Sequence, residues 1–185
     1  FIDVGTNGEI VLGTRDWMVS CACSAGPAFE GAGVVDGMRA TQGAIEEVWV
    51  HSQTLEPTYR VIGGAKPRGI CGSGLIDIVA QLRLAGLLDD GGAMMSREQA
   101  EEAGHPLAAF LLVRDEVKAF RLHGDVVLTQ QDVRALQFAK GAISTGIETA
   151  MRALGVAPSD LDSVMLAGSF GSYINPQSAR VVGLV

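Results

Sequence analysis

Positive charge is scarce in this chain: 14 Lys and Arg stand against 21 Asp and Glu, so 14 − 21 gives a net charge of −7. That is the wrong sign for a general electrostatic grip on a phosphate backbone. No nucleic-acid partner is expected, and any anionic ligand has to be held by local geometry. Cysteine is equally sparse. Cys21, Cys23 and Cys71 cannot all pair with one another and lack metal-ligand spacing. Cys21 and Cys23 point to one side of a strand, but two thiols make neither a zinc nor an iron–sulfur site, and the pattern suits a reducing compartment. The three histidines, His51, His105 and His123, lie far apart in hairpins or loops and read as surface residues. No nucleophile-elbow pattern accompanies them, which removes support for a hydrolase triad. The longest clean apolar run, 107–113, falls far short of the roughly 20 residues that a membrane span needs. No signal peptide opens the chain, so a soluble, cytoplasmic protein without membrane contact is expected.

Of the 185 residues, 48% are apolar and 19% charged, the composition of a folded object of one domain or one lobe. The sequence opens at Phe1 in mid-strand and stops at Val185 just after a helical pattern, with no initiator Met, and reads as a piece of a longer polypeptide. Glycine is abundant: 24 residues, nearly twice the usual share of about 7%, gathered in short clusters. Such clusters favour sites built from backbone.

Residues 1–4 and 9–12 flank Gly5-Thr6-Asn7-Gly8, which predicts a β-hairpin with Asn-Gly in its loop, and a turn at 14–16 leads into a third antiparallel strand over 17–23. Pro27 opens a short helical stretch limited by Gly31 and Gly33. Alternation over 44–50 and 58–62 predicts an inserted hairpin, within an insertion of about 44–69. Leu75, Ile76, Val79 and Leu82 share one face of a helix running from Gly72-Ser73-Gly74 to about residue 88. Residues 89–125 carry an acidic helical patch and two strand-like runs and read as a second peripheral insertion. A strand over 126–128 feeds Thr129, which suits the cap of a long helix over 130–154 that Gly155 ends. A strand over 164–167 runs into Gly168-Ser169-Phe170-Gly171, and a last helix begins at Pro176. The order predicts an α/β fold, a mixed sheet with three antiparallel strands first and helices on its faces.

Four places offer chemistry. The loop Gly5, Thr6, Asn7 and Gly8 can curl its N–H groups around phosphate oxygens, and Asp3 at the strand end suits Mg²⁺ through a water. The same residues equally make an ordinary type I′ turn with a surface Asp. Gly72, Ser73 and Gly74 present free N–H groups and a helix dipole to an anion, or form a plain cap with Ser73 as the capping residue. The turn Gly168, Ser169, Phe170 and Gly171 leaves bare backbone against which a flat base can lie, with Phe170 alternatively in the core. On the long helix, Lys140 falls inside the apolar stripe, and either snorkels to the edge or turns its ammonium into a cleft toward a phosphate or ribose. Asp132 and Arg134 occupy the first turn of that helix, where Asp132 suits the dipole and either can bind a partner.

Taken together, 3–13, 24–32, 37–40, 43–45, 69–75, 128–130, 139–142 and 166–174 resemble the C-terminal ATPase part of reductive activators of corrinoid proteins, across nearly the whole chain. Those activators are similar to the actin, sugar-kinase and heat-shock ATPase superfamily, whose two ribonuclease-H-like lobes close on ATP. The resemblance implies that 1–185 is the second, nucleotide-binding lobe, with Asp3 to Glu9 as the second phosphate loop and 166–171 as the adenosine-binding turn. It implies ATP and Mg²⁺ as cofactors and Asp3 as the residue positioning Mg²⁺ and water. The first phosphate loop and an N-terminal [2Fe–2S] domain are expected upstream. The implied partner is the corrinoid protein of a methyltransferase system, returned from cobalt(II) to cobalt(I), and homodimerisation stays open. Two alternatives also stay open: a small-molecule kinase lobe of the same fold with Glu9 or Glu30 as base, and a non-catalytic docking lobe for a corrinoid protein.

Overall fold

In the computed structural model, residues 1–51 and 56–185 are described, except for the side chain of Ser169. The chain opens with three antiparallel strands, β1 (Ile2–Val4), β2 (Asn7–Gly13) and β3 (Met18–Ser24), followed by a 3-10 turn at Pro27–Glu30. Then come β4 (Ala44–Val50), β5 (Pro57–Val61), β6 (Gly69–Ile70) and the helix α1 (Gly72–Leu84). A short α2 (Arg97–Glu102) precedes β7 (Leu111–Arg114), β8 (Val117–His123) and β9 (Val126–Thr129), which leads directly into α3 (Gln130–Leu154). Strand β10 (Leu166–Ala167), a single helical turn α4 (Gly168–Gly171) and α5 (Pro176–Val182) complete the chain.

Instead of one mixed sheet there are three, ordered β10-β1-β2-β3, β5-β4-β6 and β7-β8-β9. The first is mixed, because β10 joins β1 in parallel while β2 and β3 follow antiparallel. The long helix α3 packs on β2 and β3. Its start follows from Thr129, whose hydroxyl accepts from the Asp132 N–H at 3.2 Å while the Asp132 carboxylate accepts from the Thr129 N–H at 2.7 Å. This reciprocal cap satisfies two otherwise orphaned donors. Gly155, at φ 65°, ends the helix in the left-handed region. Asp132 also accepts from the Val35 N–H at 2.8 Å and is therefore spent on structure, as is Arg134, which donates to the Gly91 carbonyl and to Gln137.

Several expectations need correction. Asn7 and Gly8 lie in β2, and the hairpin loop is Gly5-Thr6, closed by the Gly5 N–H donating to the Asn7 carbonyl at 2.9 Å. Gly8 pairs with both Val4 and Cys23, and a Cβ on it would sit 2.8 Å from Cys23 Sγ and 2.9 Å from Ile143 Cγ1. The glycine is set by helix-on-sheet packing and is not part of a type I′ turn. Helix α1 stops at Leu84 because Gly86 turns left-handed at φ 77°, and the N–H groups of Leu87 and Leu88 fold back onto the Leu82 carbonyl. The segment 89–125 is not peripheral: Met94, Leu107, Leu111 and Phe120 are buried in the shared core, and β8 pairs with β9. Within 44–69, Ile45 and Val48 are likewise core. The turn of the β4–β5 hairpin falls on 52–55, outside the described residues. His105 and His123 are not free surface groups. His105 bonds the Ala85 carbonyl at 2.8 Å and accepts from the Leu107 N–H at 3.1 Å, and His123 Nδ1 meets the Tyr59 hydroxyl at 2.6 Å.

Candidate functional site

One glycine-rich bend follows β1 and the other follows β10, which pairs with β1. Asp3 lies opposite Ala167 in the parallel ladder and opposite Glu9 in the antiparallel one, so the loop after β1 and the turn after β10 emerge side by side. Gly168 sits at φ 82°, and a Cβ there would overlap the Asp3 carboxylate. Only glycine allows that approach, since a side chain would meet both a disfavoured backbone region and an occupied space. No hydrogen bond to the Asp3 carboxylate occurs among the described residues, which leaves its oxygens available at the strand end.

On the side of Phe170 lies a cleft of about 620 Å³ whose wall includes Glu30, Arg39, Gly72, Ser73, Phe170 and Tyr173. The Phe170 ring leans on Phe29 with centroids 5.3 Å apart and lies over Gly72, where a Cβ would press 2.6 Å from its edge. Glycine at 72 thus lets the aromatic of α4 rest on the start of α1. Ser73 does not cap α1. Its hydroxyl donates to the Glu46 carbonyl at 2.8 Å, Cys71 takes the N-cap position, and a Cβ on Gly74 would overlap the Ile45 carbonyl. Gly72, Ser73 and Gly74 are all buried, which ties the helix start to β4.

The phosphate-loop candidate touches this cleft through one side chain. The Thr6 hydroxyl donates to the Glu30 carboxylate, and the Thr6 carbonyl accepts from the Gly26 N–H at 2.9 Å. Asp3, Gly5, Thr6, Gly72, Ser73, Gly168 and Phe170 therefore lie in neighbouring segments, and at Gly171 a Cβ would sit 3.3 Å from the Leu166 backbone. Asn7 opens β2 opposite Ser24 and is exposed. The Ser169 side chain lies outside the described residues. Lys140 is not in this group. It lines a separate small cavity of about 50 Å³ with Arg83, Asp89 and Asp90, and its Nζ lies 3.1 Å from where a Cβ on Gly183 would be. Phe29, Arg39 and Tyr173 were not singled out from sequence as site residues; two of them are among the few aromatics in a chain with only 5%. That scarcity was the available signal.

The family model that matches the chain identifies this arrangement, a parallel strand pair ending in glycine turns with a carboxylate beside them, as part of an ASKHA (actin-like ATPase) domain. The chain belongs to the family described as the C-terminal domain of RACo, the ASKHA domain, whose model matches residues 1–185. It is 40% identical over 195 residues to the corrinoid activation enzyme RamQ of Eubacterium limosum, covering 100% of this chain and 32% of that protein. It is 25% identical over 201 residues to a [Co(II) methylated amine-specific corrinoid protein] reductase of Methanosarcina barkeri, covering 98% of this chain and 33% of that one. Among solved structures it is similar to a reductive activator for corrinoid,iron-sulfur protein, with a TM-score of 0.86 and 42% identity over 100% of this chain and 29% of the other. The chain thus spans about a third of the length of its curated relatives.

Proposed function

We propose that this chain is the second, ribonuclease-H-like lobe of a two-lobed ATPase, and that it serves a longer protein that reactivates a corrinoid protein from cobalt(II) to cobalt(I) for methyl transfer. The observation that carries the reading is the Gly168 turn lying against Asp3 at the joined ends of β1 and β10, next to the 620 Å³ cleft. The residues fit Mg²⁺ and ATP. The Asp3 carboxylate is free for a cation-bound water, the Gly5-Thr6 bend offers amides to phosphate, and Phe170 with bare Gly168 backs a flat base. When bound, the nucleotide supplies the differential affinity by which a second lobe is drawn closed. This lobe's own residues orient the phosphates, exclude a side chain from the turn and keep a carboxylate beside the cation. The [2Fe–2S] cluster is expected in another part of the longer protein, because three scattered cysteines do not supply it. A cytoplasmic setting and a homodimer belong to the same reading.

In the full-length protein, Asp3→Ala and Gly168→Asp are expected to abolish ATP turnover and nucleotide-dependent cobalt reduction. Unchanged ATP turnover in both variants refutes the assignment.

A further inference from the structure

Helix α1 packs on β4 along one side and on α5 along another. Toward β4 the contact is a ladder of side chains. Ser73 donates to the Glu46 carbonyl at 2.8 Å, Asp77 accepts from the Val48 N–H at 3.3 Å, and Gln81 accepts from the Val50 N–H at 3.0 Å. Four residues of helix rise about 6 Å and two of strand about 6.7 Å, so the rungs stay in step. Asp77 is the middle rung and differs from its neighbours. It is 4% exposed, the equally buried Ser178 of α5 reaches it from the far side, and its Oδ1 has no partner among the described residues. A neutral carboxyl tolerates such a place, whereas a carboxylate has about four lone-pair sites to fill and here finds donors for only part of them. Burial is accordingly the leading cause that raises its pKa above 3.8.

The surrounding charges do not offset that cost. The charge acting on Asp77 is that of Glu47 on β4, also negative, and Arg60 is shared between Glu47 and Glu46 on the exposed side of the strand. Arg83 of α1 is paired with Asp90, Arg180 of α5 is exposed, Lys140 of α3 lies beside Gly183, and Glu30 of the 3-10 turn is bonded by Thr6. Of the elements around Asp77, α5 is the one that can yield. Strand β4 is paired on both edges and α1 is pinned by three rungs, but α5 has seven residues and buries only Ser178, Ala179 and Val182. We propose that Asp77 is a proton-operated latch between α1 and α5: neutral, it closes the seam; ionised, it takes water at Oδ1, and α5 lifts from α1 to admit it. The latch belongs to this lobe and is independent of nucleotide.

Hydrogen exchange of the full-length protein, read by mass spectrometry and corrected for the intrinsic pH dependence of amides, tests the latch. As pH rises from about 4 to 8, the α5 amides of wild type are expected to lose protection relative to Asp77→Asn, by at most about tenfold per pH unit, levelling off once the closed form also ionises. At each pH α5 is expected to exchange faster than α1 and α3, through an opening that low urea concentrations do not accelerate because little surface is exposed. Ser178→Ala removes a donor that the carboxylate needs more than the neutral acid does. Its loss of α5 protection is expected to be larger at neutral than at acid pH, a comparison that stands even if Asp77→Asn fails to fold. A pH-independent ratio between wild type and Asp77→Asn, α5 amides exchanging together with those of α1 and α3, or an equal effect of Ser178→Ala at acid and neutral pH overturns the proposal.

Discussion

Asp77 on α1 is a buried carboxyl in an apolar setting. One oxygen accepts from the Val48 N–H at 3.3 Å and the Ser178 side chain also reaches the group, while Oδ1 has no partner among the described residues. Burial pushes its pKa above the ordinary 3.8, opposed by the Ser178 and Val48 bonds and assisted weakly by Glu47. A native pKa raised above the unfolded one means that the folded state binds the proton more tightly. The stabilising contribution is complete at acid pH and is lost as pH rises through the native value. Asp77→Asn removes that titration. The stability of wild type relative to Asp77→Asn is therefore expected to fall as pH rises from about 4 toward neutrality, which urea midpoints at a series of pH values will read; a pH-independent difference refutes it. The residue links α1 to both β4 and α5, so its charge state is felt across three elements.

Helix α3 is the element most completely written in local sequence. Thr129, Asp132 and Gly155 mark its ends, and Val133, Leu136, Ile143 and Met151 form its buried stripe. Because the cap is buried, Thr129→Ala leaves the Asp132 N–H without its acceptor, and a loss of about 1–2 kcal/mol is expected in chemical denaturation. A variant with an unchanged midpoint shows that water replaces the cap. The neighbouring hairpin shows where local signals stop. Asn7-Gly8 has the chemistry of a two-residue turn, yet Gly8 is taken by the ladder because Ile143 and Cys23 occupy the space a side chain needs, and these lie 135 and 15 residues away in sequence. Glycine alone does not distinguish a turn from a close approach. Likewise, the apolar face that places Lys140 in the stripe is legible, but its position beside the distant Gly183 is not.

At the scale of the whole molecule, the sequence pattern separated the elements well and grouped them poorly. Strands β7 and β8 read as an appendage because their surroundings are rich in Gly and acidic residues, whereas their inward residues complete the core. Phe120 is fully buried and stacks on Phe110 with centroids 5.8 Å apart. Phe120→Ala is expected to cost about 3–5 kcal/mol, the price of a large core cavity, measured as a lowered urea midpoint for the entire cooperative transition. A separate early transition confined to this segment supports the appendage instead. The segment is also fastened electrostatically. Arg114 of β7 donates to Asp36 at 2.8 Å, and the same carboxylate oxygen accepts from the Val127 N–H at 2.9 Å. The two glycine bends at Gly5 and Gly168 and the carboxylate of Asp3 are marked in the sequence, and the fold brings them side by side. Arg39 and Tyr173 enter the cleft only because remote segments fold together there.

Strand β1 is only three residues long and serves two neighbours, antiparallel on one side and parallel on the other. Gaining or losing a single residue there would turn Asp3 to the opposite face and shift its register against both partners together. A change of length within 2–8 is therefore expected to disrupt both ladders, whereas the exposed 14–16 connection is expected to tolerate one. Among descendants of a common ancestor, the spacing from Asp3 to Thr6 should behave as a fixed ruler even where side chains drift.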